Sequence, residues 1–186
     1  MSYYFAILSP LDTPLFEHEF GTSKSGGDGQ PRFTDQARHL NQFILHSSLD
    51  IVEELQWTQP GLYLKVIDKF FQNYISAFVT ASNVKFLLLH QPTTSVPTTT
   101  TTGGGGGANG GVVNTAQAAA SSRVNSTSVG ANPTSPQTEE AIKNFMNEVY
   151  ENYVKAVMSP FYKAPNMEIR SPVFRQRVAA AGRKYL

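Results

Sequence analysis

Between residues 34 and 57 the chain repeats apolar side chains at three- and four-residue steps. Leu40, Phe43, Ile44, Ile51 and Leu55 stack on one side of a helical wheel, with the small Ser47 in line. The pattern predicts one long amphipathic helix, roughly 34 Å from end to end, with that stripe as its core face. Leu45, Leu49 and Val52 form a second, smaller stripe well round the wheel. It has two readings, a widened core face or a docking surface for another protein. Asp35, His39, Gln42, His46, Asp50 and Glu53 line the remaining, polar arc.

Elsewhere the periodicity falls to two, or the run is apolar throughout. Residues 3–8 are apolar on both faces, as in a strand covered from both sides of a sheet. Residues 9–14 carry Ser, Pro, Asp and Thr, the composition of a turn. Residues 15–20 resume with one wetter face, which predicts a hairpin whose second strand lies nearer an edge. A Gly/Ser/Asp loop spans 21–31, and Thr34 or Asp35 caps the long helix. Three runs rich in Val, Ile, Phe and Tyr follow at 62–70, 74–81 and 84–90, an antiparallel meander. The continuous apolar segment 86–89 places the last of these strands centrally.

Residues 92–137 break every pattern. Five threonines are followed by five glycines, with no aromatic residue and one charge, Arg123. Such a segment buries too little apolar surface to offset the entropy of ordering it, so a disordered low-complexity insert within one domain spanning 1–186 is expected. Thr138 then caps a second helix, whose apolar face runs through Ile142, Phe145, Met146, Val149 and Tyr153. Ser171-Pro172 opens a third helix to about residue 184. The element order is β-β-α-β-β-β-α-α. A mainly antiparallel sheet between one helix and two, a three-layer α/β/α domain of the α+β class, satisfies all of these faces.

Composition narrows the function. The formal net charge is +1, and no basic stripe is available to neutralise phosphates, which argues against nucleic acid as the main ligand. There are no cysteines, so disulfides and thiolate metal sites are excluded. No apolar run approaches the roughly 18 residues that span a bilayer, and no direct membrane insertion is expected. His18, His39, His46 and His90 offer no complete metal set: Asp35, His39 and His46 share a helix face, but no further ligand is in predictable reach. The glycines at 103–107 lack the Lys-Ser/Thr that a phosphate loop requires. Tyr63, Phe70, Phe71, Tyr74 and Phe78 have strand spacing, which suits a core better than a base-stacking platform. No catalytic residue and no cofactor is assigned.

Several runs in matching order resemble the sedlin family. They are Arg38-His39-Leu40-Asn41-Gln42-Phe43-Ile44, Leu49-Asp50, Tyr63-Leu64-Lys65-Val66-Ile67-Asp68-Lys69-Phe70, Ser76-Ala77-Phe78-Val79-Thr80-Ala81, Ile142-Lys143-Asn144-Phe145, Pro160-Phe161-Tyr162 and residues 166–171. The resemblance covers the chain apart from the first loop and the insert. It implies a longin-like (profilin-like) fold with a five-stranded antiparallel sheet, one helix on one face and two on the other. It also implies a non-catalytic adaptor subunit of the TRAPP complex, cytoplasmic and peripherally associated with endoplasmic reticulum and Golgi membranes. There it would link core subunits to large subunits in vesicle tethering and autophagy, and act indirectly on a Rab GTPase. The family's linking Asp matches Asp50. The expected partner-binding set is Asp50, Leu45, Leu49, Val52, His46 and Glu53, against the alternative that Asp50 is a solvated helix charge. The insert departs from the family's short turn. Competing functions are a longin-type coat or SNARE-regulating domain, the latter disfavoured by a chain that ends at Leu186 without a heptad-repeat helix or anchor, and a small ligand-binding domain or enzyme.

Overall fold

The computed structural model describes residues 1–22, 28–92, 134–164 and 166–186. Five strands form one antiparallel sheet: β1 (Ser2–Leu8), β2 (Pro14–Gly21), β3 (Tyr63–Phe70), β4 (Asn73–Val79) and β5 (Lys85–Gln91). Their order across the sheet is β2-β1-β5-β4-β3. The helices are α1 (Asp35–Ser47), α2 (Leu49–Leu55), α3 (Pro136–Val157) and α4 (Pro172–Tyr185). The architecture is the longin-like α+β arrangement, with the α1–α2 pair on one face and α3 with α4 on the other.

Side-chain alternation along the central strands sorts two cores. Tyr3, Phe5 and Ile7 of β1, with Phe86 and Leu88 of β5, point toward α3 and α4 and meet Ile142, Phe145, Met146, Val149, Phe174 and Val178. Tyr4, Ala6 and Leu8, with Leu87 and Leu89, point the other way to Ile44, Leu45, Leu49 and Val52. Every residue of β1 is buried. Several aromatic pairs on the α3 side pack edge-to-face, as Phe5 and Phe145 do, with ring centroids 5.3 Å apart at 84°. Gly182 of α4 lies so close to Phe20 that an added Cβ would come within 2.4 Å of the ring, which fixes how near α4 sits to β2.

Two boundaries differ from expectation. The predicted single helix over 34–57 is broken at Ser48. The second long helix is capped by Ser135, whose hydroxyl accepts from the Thr138 N–H at 3.2 Å, and not by Thr138. Pro136 occupies the first helical position, where its missing N–H costs nothing, so ordered helix begins inside the segment expected to be an insert. The remainder of that segment, 93–133, lies outside the described residues.

The outer strand β3 is irregular. Its pairing with β4 shifts register between Tyr63 and Lys65 and again between Val66 and Asp68, and Lys65 holds a φ of 64°. At the opposite end of the sheet, the β1–β2 turn reaches back over β5. Asp12, at a φ of 59°, receives the ammonium of Lys85 at 2.5 Å, with Glu53 of α2 3.9 Å away. The Lys85 side chain is 1% exposed, so this ion pair ties turn, sheet and helix together in a desolvated spot.

Asp12→Asn keeps a residue that tolerates the left-handed backbone and removes only the charge. Leaving a buried ammonium short of its partner is expected to cost about 2 kcal/mol and lower the melting temperature by roughly 4–8 °C. Urea unfolding checks this, and an unchanged midpoint would show that Glu53 alone satisfies Lys85. A second expectation concerns alkaline pH. Burial pushes the Tyr3 phenol up to about 12 from its ordinary 10.0, and its hydroxyl has no hydrogen-bond partner among the described residues. The raised value belongs to the folded state, so this contribution is complete below pH 10 and is lost as pH climbs toward 12. At about 1.4 kcal/mol per unit the loss reaches about 3 kcal/mol at the top of that window. Urea midpoints at the two ends of the window should fall less for Tyr3→Phe than for wild type.

Candidate functional site: the outer face of the broken helix

The helix pair α1–α2 begins at Thr34, whose hydroxyl accepts from the Ala37 N–H at 3.2 Å. It is clamped to the edge strand by polar contacts: Arg38 to Glu19 at 3.3 Å, and the Gln42 amide to Glu17 at 2.8 Å. Glu17 also accepts from the Tyr4 hydroxyl at 2.8 Å. Burial first, and this carboxylate second, hold that phenol far above the usual tyrosine range. At the other end, adjacent serines interrupt the helix. The Ser47 hydroxyl donates to Ile44 O and the Ser48 hydroxyl to Leu45 O, both at 2.8 Å. Such back-bonding competes with the helical ladder and bends it. The Ser48 N–H is shared between Ile44 O and Leu45 O at 3.3 Å. The helical register nevertheless carries across, because the Val52 N–H reaches Ser48 O at 3.1 Å.

Of the two readings of the second stripe, the widened core face is the one the structure takes, while part of the first stripe faces outward. Leu45, Leu49 and Val52 are 2%, 7% and 0% exposed and pack on the sheet. They form the core face and have no surface left to offer a partner. Leu40 and Phe43, expected in the core, are 52% and 64% exposed. Ile44 is buried as expected, while Ile51 and Leu55 are half-buried. The cause is the polar content of the true core face. Asn41 and Ser48 lie in it, both buried, and they dilute its hydrophobic signal so that the wheel points to its neighbour.

Of the expected partner-binding residues, Asp50, His46 and Glu53 are exposed. Asp50 stands in the first turn of α2 and makes no ion pair among the described residues. Seven residues separate it from Phe43, which places the two on the same side of the helix. Trp57, just past α2, is 85% exposed beside a hollow of about 420 Å³ lined by Pro60, Leu62, Leu64 and Val79. The face therefore offers Leu40 and Phe43, an acidic flank of Asp50, Glu53 and Glu54, and a terminal Trp. Sequence reasoning missed Leu40, Phe43 and Trp57 as surface. Their signal was an apolar residue count on this helix larger than one sheet face can cover.

Among the described residues no group of three His, Asp or Glu side chains converges as a metal site. His18 is held below its usual range by burial and by the nearby Arg175, and it packs edge-on against Phe20 with ring centroids 4.7 Å apart. Among the described residues no helix is long and apolar enough to cross a membrane.

The fold defines a longin-like domain. The chain belongs to the sedlin family, whose family model, described as Sedlin, matches residues 7–184. It is 37% identical over 186 residues to a Schizosaccharomyces pombe protein named transport protein particle 20 kDa subunit, covering all of both chains. A Caenorhabditis elegans protein named probable trafficking protein particle complex subunit 2 is 34% identical, over 99% of this chain and 96% of the relative. Trafficking protein particle complex subunit 20 of Saccharomyces cerevisiae is 29% identical over 215 aligned positions, covering 100% of this chain and 99% of the relative.

This division between buried and exposed apolar positions makes a stability prediction. Leu45→Ala should cost about 3 kcal/mol, as a buried leucine truncation does, whereas Phe43→Ser should stay within about 0.5 kcal/mol of wild type. Chemical denaturation of both variants decides it. A larger loss for Phe43→Ser would restore the original assignment of faces.

Proposed function

We propose that this chain is a non-catalytic adaptor subunit of a trafficking protein particle complex. The observation that carries the reading is the end-to-end match to relatives named as subunits of a transport or trafficking protein particle. As an adaptor it links the core of the particle to the large subunits during endoplasmic reticulum-to-Golgi vesicle tethering. Its effect on a Rab GTPase is indirect, and its residence on those membranes comes through the assembled particle.

The linking surface is the outer face of α1–α2. Asp50, His46 and Glu53 remain in it from the sequence-based set, and Leu40 and Phe43 replace Leu45, Leu49 and Val52. Exposed large apolar side chains beside an unpaired carboxylate suit a partner patch that is apolar with a basic rim. Aromatic side chains at the centre of an interface carry a disproportionate share of binding energy.

Asp50→Tyr and Phe43→Asp should fold as wild type by circular dichroism, because both positions are exposed. In pull-downs from native cytosol read by mass spectrometry, wild type should recover core and large particle subunits. Each variant should selectively lose the large ones. Equal recovery by all three baits would move the linking surface elsewhere. Recovery of no particle subunit by wild type would overturn the functional reading.

A further inference from the structure

On the opposite side of the sheet, the last turns of α3, the connecting residues 159–162 and 167–171 and the first turns of α4 enclose a groove of about 780 Å³. Ala156, Tyr162, Ile169 and Phe174 are among the residues that line it, and Phe161 and Val173 stand at its lip, 82% and 53% exposed. Lys155 of α3 and Arg177 of α4 face it from two walls. Neither pairs with a carboxylate among the described residues. Glu168, the one carboxylate lining the groove among the described residues, is taken up by the Arg170 guanidinium at 2.8 Å. Three cations, Lys155, Arg170 and Arg177, thus stand against one carboxylate, an excess of two positive charges around an apolar floor.

We propose that this groove docks an acidic amphipathic segment of a partner protein. Two or three apolar side chains at helical spacing fill the floor, and flanking Asp or Glu residues meet Lys155 and Arg177. The apolar lining gives no purchase to a free inorganic anion, and a concave site of this size takes inserted side chains better than it meets a flat bilayer. The chain's own segment 93–133 carries no carboxylate and lacks the complementary charge. The groove lies on the α3–α4 layer, across the sheet from the α1–α2 face, so the proposal stands apart from the linking surface described above. It gives the adaptor a second, independently tunable contact.

The test uses the full chain and a display library of peptides about four helical turns long. The comparison variants are Lys155→Glu with Arg177→Glu, both at exposed positions, and Asp50→Tyr as a control. Wild type should enrich peptides that combine helically spaced apolar residues with Asp or Glu. The double reversal should weaken the enriched peptide about tenfold or more, and added salt should weaken wild-type binding. A peptide with its carboxylates exchanged for lysine should bind the reversal variant better than it binds wild type. Asp50→Tyr should bind as wild type does, which separates this outcome from failure of the α1–α2 reading. Enrichment of acid-free peptides, or of none beyond what the reversal variant gives, overturns the proposal. So does binding to phosphatidylserine-containing vesicles through Lys155 and Arg177 without any enriched peptide, because the occupant would then be a membrane.

Discussion

The pairing of β1 with β5 is the constraint on which the rest of the molecule depends. The chain's first strand lies antiparallel beside its fifth, with Phe5 opposite Leu88 and Ile7 opposite Phe86. These two strands are buried on both faces, so neither can exist without a helical layer above and below. One layer is supplied by α1–α2, which precede β5 in the chain. The other is supplied by α3 and α4, which come only afterwards. The sheet centre therefore closes contacts of long sequence separation, and each helical layer is held mainly by the apolar face it covers.

That dependence explains why most of the fold was legible. Residues 3–8 and 86–89 are apolar at every position, a pattern that only a doubly covered strand requires. The alternation in 15–20, with Glu17 and Glu19 between aromatic residues, marked β2 as the edge it is. Ser171-Pro172 announced α4, where the Ser171 hydroxyl accepts from the Phe174 N–H. What was not legible depends on partners distant in sequence. Which arc of α1–α2 meets the sheet is decided by the sheet, and the two buried polar residues, Asn41 and Ser48, disguised the answer. The same pair of serines that supplied one of those residues also bent the helix. Ser135 was overlooked because its neighbours on the N-terminal side are low in complexity, although Ser-Pro at 135–136 repeats the signal at 171–172.

The candidate surfaces were legible in proportion to how local they are. Asp50 was found from a resemblance and survives as an exposed charge, because exposure on the polar arc of a helix is a local property. The α3–α4 groove was not visible, although its parts were. The irregular segment with two aromatics and the basic final helix were both apparent, but the concavity between them exists only when α4 folds back against α3. The Lys184–Glu148 ion pair, at 2.8 Å, spans the two helices on their outer side.

The unevenness of β3 has a consequence for the protein before it meets any partner. A smooth outer strand presents free N–H and C=O groups at regular spacing and invites another chain to add to the sheet. Two register shifts within eight residues, with a left-handed backbone at Lys65, spoil that spacing. The opposite edge, β2, carries charged side chains and receives the polar clamp of α1. Newly made copies awaiting incorporation into an assembly are thereby hindered from self-templated stacking, and recognition is left to helical surfaces whose side chains can discriminate.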